Sequence, residues 1–145
     1  LASGVAVVTL DYRLGPEDPF PAAVDDGLAA YRELLDRGIE PGRIAIGGDS
    51  AGGGLSMALA LRLKALALPQ PAGIVLLSPF VDMTYAGHSM KSSKQKEWLL
   101  KKSFMYAAGQ HYAGGQDLHG PTTSPLFANL GALPPLLMLT KFMMP

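Results

Sequence analysis

Ser50 stands in the run Gly48-Asp49-Ser50-Ala51-Gly52, and a serine with glycine two places before and two places after it suits nucleophilic chemistry. A hydroxyl is a weak nucleophile. It needs a tight turn that exposes it to a base, and preorganised donors for the negative charge that develops on the attacked carbonyl. Gly48 and Gly52 are expected to remove Cβ atoms that would collide where a strand turns into a helix. The bare pattern is short, so its surroundings must carry the argument. Before it, Arg43-Ile44-Ala45-Ile46-Gly47 reads as a short apolar strand, and after it Leu55 to Lys64 is rich in strong helix formers. The prediction is a strand over 43–48, Ser50 at the tip of a turn, and a helix over 51–65. The alternative is a glycine-rich turn that binds an anion or nothing. No G-K-[ST] follows and no G-x-G-x-x-G is present, which argues against a phosphate loop. Asp49 reads as a turn or cap residue at the edge of the site, since its side chain would have to pass its own backbone to reach the serine.

The elements around this turn follow from periodicity. Residues 4–12 are a β-branched apolar run that predicts a buried parallel strand. Residues 13–20 hold Gly15, Pro16 and Pro19 and read as loop. Pro21 suits a first helical turn, Val24, Leu28, Tyr31 and Leu35 recur at helical spacing, and Gly38 ends that helix. Ile74 to Ser78 predicts another buried strand, closed by Pro79. Residues 90–113 carry a helical pattern through Trp98, Leu99, Phe104, Met105 and Ala108. Leu136 to Thr140 predicts a last short strand. The order β-α-β-α-β-(α)-β argues for an α/β fold, a mostly parallel sheet with helices on both faces.

Composition removes several function classes. Twelve basic and twelve acidic residues balance, and no basic run tracks a phosphate backbone, so nucleic acid is not expected as a partner. Lys91 to Lys102 reads as the solvated face of a helix. The chain has no cysteine, hence no disulfide framework and no thiolate metal site, and no metal or other cofactor is expected. No stretch is long and apolar enough to span a membrane, and a cytoplasmic location is the expectation.

Several segments together resemble hormone-sensitive-lipase-like esterases of the α/β-hydrolase fold. Asp11-Tyr12-Arg13-Leu14-Gly15-Pro16-Glu17 and Pro19-Phe20-Pro21-Ala22-Ala23-Val24-Asp25-Asp26 resemble that family's D-Y-R-L-A-P-E and F-P-A-A-x-x-D. Gly47 to Gly53 resembles its G-G-D-S-A-G-G elbow. Ser78-Pro79-Phe80-Val81-Asp82 resembles its S-P-x-x-D, and Ser124-Pro125-Leu126 with Leu133-Pro134-Pro135 its S-P-L and L-P-P. The departures are Gly15 where Ala is usual and Gly54 where Asn is frequent. The resemblance covers residues 4–140. It implies a carboxylic-ester hydrolase with a Ser-Asp-His triad acting on small-molecule esters of short to medium chain length. Ser50 would be the nucleophile and the Ala51 backbone N–H one oxyanion donor. Gly52 and Asp82 would lie at the margins of the site.

Two parts of the family's machinery have no counterpart. The H-G-G-G oxyanion loop precedes the segment that matches here, and the acid follows the strand at 136–140, where Lys141 to Pro145 carries no carboxylate. The chain therefore reads as a single partial α/β-hydrolase domain over 1–145, the middle of a longer domain, through truncation or a shifted reading frame. His88, His111 and His119 match no family base position and read as surface or helix-end residues. Asp82 reads as structural before it reads as a substitute acid. Asp11, Arg13, Glu17 and Asp25 read as polar anchors of the first loop. Residues 90–113 fall where a cap crosses the site, so Trp98, Phe104, Met105 and Tyr112 either line a pocket or pack the helix onto the sheet. The alternative to an esterase is a non-catalytic fragment or a ligand-binding relative without a working base. The chain alone is expected to turn over short esters poorly or not at all. In the family, strands matching 4–12 and 43–48 are not neighbours, so one of three outcomes is expected: direct pairing of these two runs, self-association through the open slot, or aggregation.

Overall fold

The computed structural model describes residues 4–87 and 101–140. Chain order is α1 (Ala22–Asp36), β1 (Ala45–Asp49), α2 (Ala51–Ala65), β2 (Gly73–Leu77), α3 (Lys102–Ala113) and β3 (Leu136–Leu139). The three strands form one parallel sheet in the order β1-β2-β3. Ile46 lies opposite Ile74, and Leu76 opposite Met138.

One face of this sheet is built around α2. That helix is apolar on all sides because it is the middle layer, with the sheet on one flank and α1 on the other. Met57 and Ala60 pack on Ile74 and Leu76, while Leu59 and Leu63 pack on Leu28, Tyr31 and Ile44. Burial of this kind stabilises by roughly 1.5–3 kcal/mol per large side chain. The Tyr31 hydroxyl is satisfied by donating to the Pro69 carbonyl at 3.1 Å. Gly38 ends the α1 turn at φ +81, a conformation that favours glycine.

Two expectations are overturned. Residues 4–12 form no strand and are not part of the sheet; Val7 and Val8 stay 72% and 70% exposed. An apolar β-branched run becomes a strand only when a neighbour completes its ladder, and none of the three strands does so here. The direct pairing with 43–48 therefore does not occur. Nor, among the described residues, does a helix cover the second face of the sheet. Val75 and Leu77, which alternation turns away from α2, remain exposed together with Leu137 and Leu139 opposite them. Among the described residues α3 does not cover that face; it packs against the loop before α1 and the turn at Met83. The expected cap segment is helical from 102 to 113, and its part over 90–100 lies outside the described residues.

Candidate active site

Ser50 links the carboxyl end of β1 directly to the first residue of α2, with φ 52 and ψ −113. A non-glycine residue there is strained by roughly 1–3 kcal/mol and persists only where its surroundings fix it. Three backbone bonds do so. The Ser50 N–H donates to the Leu77 carbonyl at 2.9 Å, and the Ser50 carbonyl accepts from Phe80 N–H at 2.8 Å and Gly54 N–H at 3.1 Å. Glycines allow the required approach. A Cβ on Gly48 would overlap the Gly52 carbonyl, one on Gly53 would come within 2.8 Å of the Pro79 Cβ, and one on Gly54 would overlap the Phe80 carbonyl. Gly52 differs from its expected part: a Cβ there meets nothing within 4 Å. The collision concerns Gly48 against the Gly52 backbone, and the second crowded pair is Gly53 and Gly54 against the segment after β2.

Ser50 and Ala51 line a cavity of about 610 Å³. Its walls come mainly from three places, with Ala23 of α1 and Thr123 in addition. The loop before α1 supplies Tyr12, Arg13, Leu14 and Gly15; α2 and the segment after β2 supply Gly54, Leu55, Phe80 and Met83; α3 supplies Phe104, Met105, Ala107, Ala108, His111 and Tyr112. The cavity is mostly apolar, with few polar groups near the serine. Phe104, Met105 and Tyr112 therefore line a cavity and do not pack a helix onto the sheet. Trp98, expected beside them, lies outside the described residues. Sequence reasoning missed His111 and Ala107. The signal was present, since 104, 105, 108, 111 and 112 fall on one face of a helix.

Asp49, Gly52 and Asp82 do not line the cavity. Asp49 is the exposed last residue of β1. The Asp82 Oδ1 accepts from the Thr84 N–H at 2.8 Å and the Thr84 hydroxyl at 2.5 Å, closing a local turn. That turn is braced from below by the buried Ser124 hydroxyl, which accepts from the Met83 N–H at 2.8 Å. Of the histidines, His88 lies outside the described residues. His119 sits 3.5 Å from Asp117 and against the Phe127 ring, away from the cavity. His111 lines the cavity with Ser50, yet among the described residues no hydrogen bond joins the Ser50 hydroxyl to an imidazole. No cluster of three His, Asp or Glu able to hold a metal occurs among the described residues.

The polar anchor of the first loop is Arg13 with Asp26, where Asp25 was expected. Asp26 accepts from the Arg13 backbone N–H at 2.9 Å and from its guanidinium at 2.7 and 3.0 Å. The guanidinium hydrogen bonds hold the Asp26 carboxyl below the usual carboxylate range. The Tyr112 phenol is pushed up to about 12, chiefly by burial and then by the nearby Tyr12.

A family model for the alpha/beta hydrolase fold matches residues 1–143. The chain belongs to the α/β-hydrolase family. An acetyl-hydrolase of Streptomyces hygroscopicus is 44% identical over 137 residues, covering 94% of this chain and 46% of the relative. An esterase of Acinetobacter venetianus is 40% identical over 133 residues, covering 91% and 44%. A crystal structure of a hormone-sensitive lipase from a metagenome library superposes with TM-score 0.85 at 47% identity, covering 90% of this chain and 44% of that one. The esterase EstE5, soaked in ethyl alcohol, superposes with TM-score 0.84 at 46% identity over 88% and 43%. This α/β-hydrolase chain thus spans less than half the length of the curated relatives it matches, and its likeness runs to the hormone-sensitive-lipase-like esterases. No helix among its described residues is long and apolar enough to cross a membrane.

Proposed function

We propose that this chain carries the nucleophile and much of the substrate pocket of a carboxylic-ester hydrolase of the hormone-sensitive-lipase-like kind. Ser50 Oγ attacks the ester carbonyl and forms an acyl-enzyme, the alcohol leaves, and water releases the acid. The Ala51 N–H stands at the start of α2, where the first turn's donors have no intrahelical partner and the helix dipole favours negative charge. It is the oxyanion donor in this reading. The hydroxyl proton must pass to a base and then to the leaving alcohol; that base is assigned to none of the described residues. Residues 1–145 act as one partial domain, with α3 as the described part of its cap. The substrate is a neutral ester of short to medium chain length, because the cavity is apolar and of modest volume. A cytoplasmic location, with which the lack of cysteine is compatible, belongs to the same proposal.

The observation that carries this reading is a strained serine, held by three backbone bonds, on an apolar cavity. The test is hydrolysis of p-nitrophenyl acetate and butyrate by the purified chain and by Ser50→Ala, followed over long progress curves. The reading expects a slow rate that requires Ser50. Equal rates for the two proteins overturn it.

A further inference from the structure

Gly15 touches the cavity from an unusual direction. A Cβ built on it would lie 3.0 Å from the His111 carbonyl oxygen and 3.3 Å from the Tyr112 Cα. Both are backbone atoms of the last turn of α3, so no side chain can swing aside to make room. The same turn is tied to the loop nearby: the Phe20 N–H donates to the Tyr112 carbonyl at 2.6 Å, and the Phe20 and Tyr112 rings meet edge to face at 5.9 Å. The loop in turn is fixed to α1 by Arg13 and Asp26. His111 and Tyr112 are cavity walls. The spacing between the loop and α3 therefore sets the width of the cavity at that end, and the missing Cβ of residue 15 sets the spacing.

We propose that Gly15 is a positioning residue for substrate selection: by letting the last turn of α3 close onto the loop, it narrows the cavity and favours short acyl chains. The proposal rests on the reading of Ser50 as nucleophile for its first test and is independent of it for the second. A Cβ at 15 pushes His111 and Tyr112 outward by a few tenths of an ångström and admits longer chains.

The first test measures labelling of Ser50 by p-nitrophenyl alkylphosphonates from ethyl to octyl, in the full chain and in Gly15→Ala. The expected result is a rise of about threefold or more in the octyl-to-ethyl ratio, carried by the inhibitor's binding constant and not by the limiting rate, since each buried methylene is worth about fourfold. An unchanged ratio in a folded variant overturns the proposal. The second test titrates 1-octanol and 1-butanol into both proteins by NMR. If the unaltered chain takes no label, the nucleophile reading fails, and the octanol-to-butanol affinity ratio then decides alone: about a threefold rise in Gly15→Ala supports the proposal and no change overturns it. Should Gly15→Ala fail to fold, Phe20→Leu, which removes the ring contact on Tyr112, is expected to move the ratio in the same direction by less. No change there overturns the proposal.

Discussion

Two serines end neighbouring strands in this molecule, and only one of them lines the cavity of about 610 Å³ described above. Ser50 follows β1 with φ 52, and Ser78 follows β2 with φ 41. Each donates its N–H across to the end of the next strand, Ser50 to Leu77 at 2.9 Å and Ser78 to Leu139 at 2.7 Å. Both have positive φ, but the next residues differ. Ala51 begins a fifteen-residue helix whose first N–H groups are free to meet a negative charge, whereas Ser78 runs into Pro79, which has no N–H to offer. Ser50 lines the cavity and Ser78 does not. Backbone strain at a strand end is thus no mark of a site by itself; strain together with donors and a cavity is.

The largest expected effect separates the two serines by chemistry. Ser50→Ala is expected to bring the slow Ser50-dependent ester hydrolysis of the chain down to background. Ser78→Ala is expected to stay within about twofold of the unaltered chain. Comparable losses in both would erase the distinction between them.

A second pair sharpens it within the elbow. Gly48→Ala forces a Cβ into the Gly52 carbonyl and is expected to cost about 3 kcal/mol in urea unfolding. Gly52→Ala meets open space inside a helix and is expected to stabilise by up to about 1 kcal/mol. Equal effects at the two glycines would contradict the packing of strand end against helix start.

The smallest effect concerns the loop that faces the elbow. Asp26 has a lowered pKa because Arg13 donates to its ionised form. Its contribution is therefore present above the ordinary carboxylate range and lost as pH falls through the lowered value. Thermal melts of the unaltered chain and Asp26→Asn should differ near neutral pH and converge on acidification below the ordinary carboxylate range. A gap that widens on acidification would reverse the sign.

Much of the fold was legible in the sequence, and the rest was not for identifiable reasons. The elbow and α2 could be read because glycine spacing and helix formers are local signals; the helix runs over the predicted 51–65. The strands at 45–49, 73–77 and 136–139 were visible as apolar runs. Residues 4–12 carry the same signal yet stay out of the sheet, since a strand depends on a neighbour that local composition does not report. Gly52 was given a steric role that belongs to Gly48, Gly53 and Gly54, because close approach is a property of two segments and not of one motif. His111 was read as a helix-end residue. It shares a helical face with Phe104, Met105, Ala108 and Tyr112, which is a local signal, but that this face borders a cavity depends on where α3 leans on the loop at Gly15, a tertiary contact.

A serine-directed reagent tests the site most directly. The full chain, treated with excess ethyl p-nitrophenyl phosphonate and then mapped by peptide mass spectrometry, should carry one adduct, on Ser50. That adduct should be absent from Ser50→Ala and undiminished in Ser78→Ala. An adduct on Ser78, or labelling spread evenly over several serines, would contradict the claim that donors and cavity, and not strain alone, make the site.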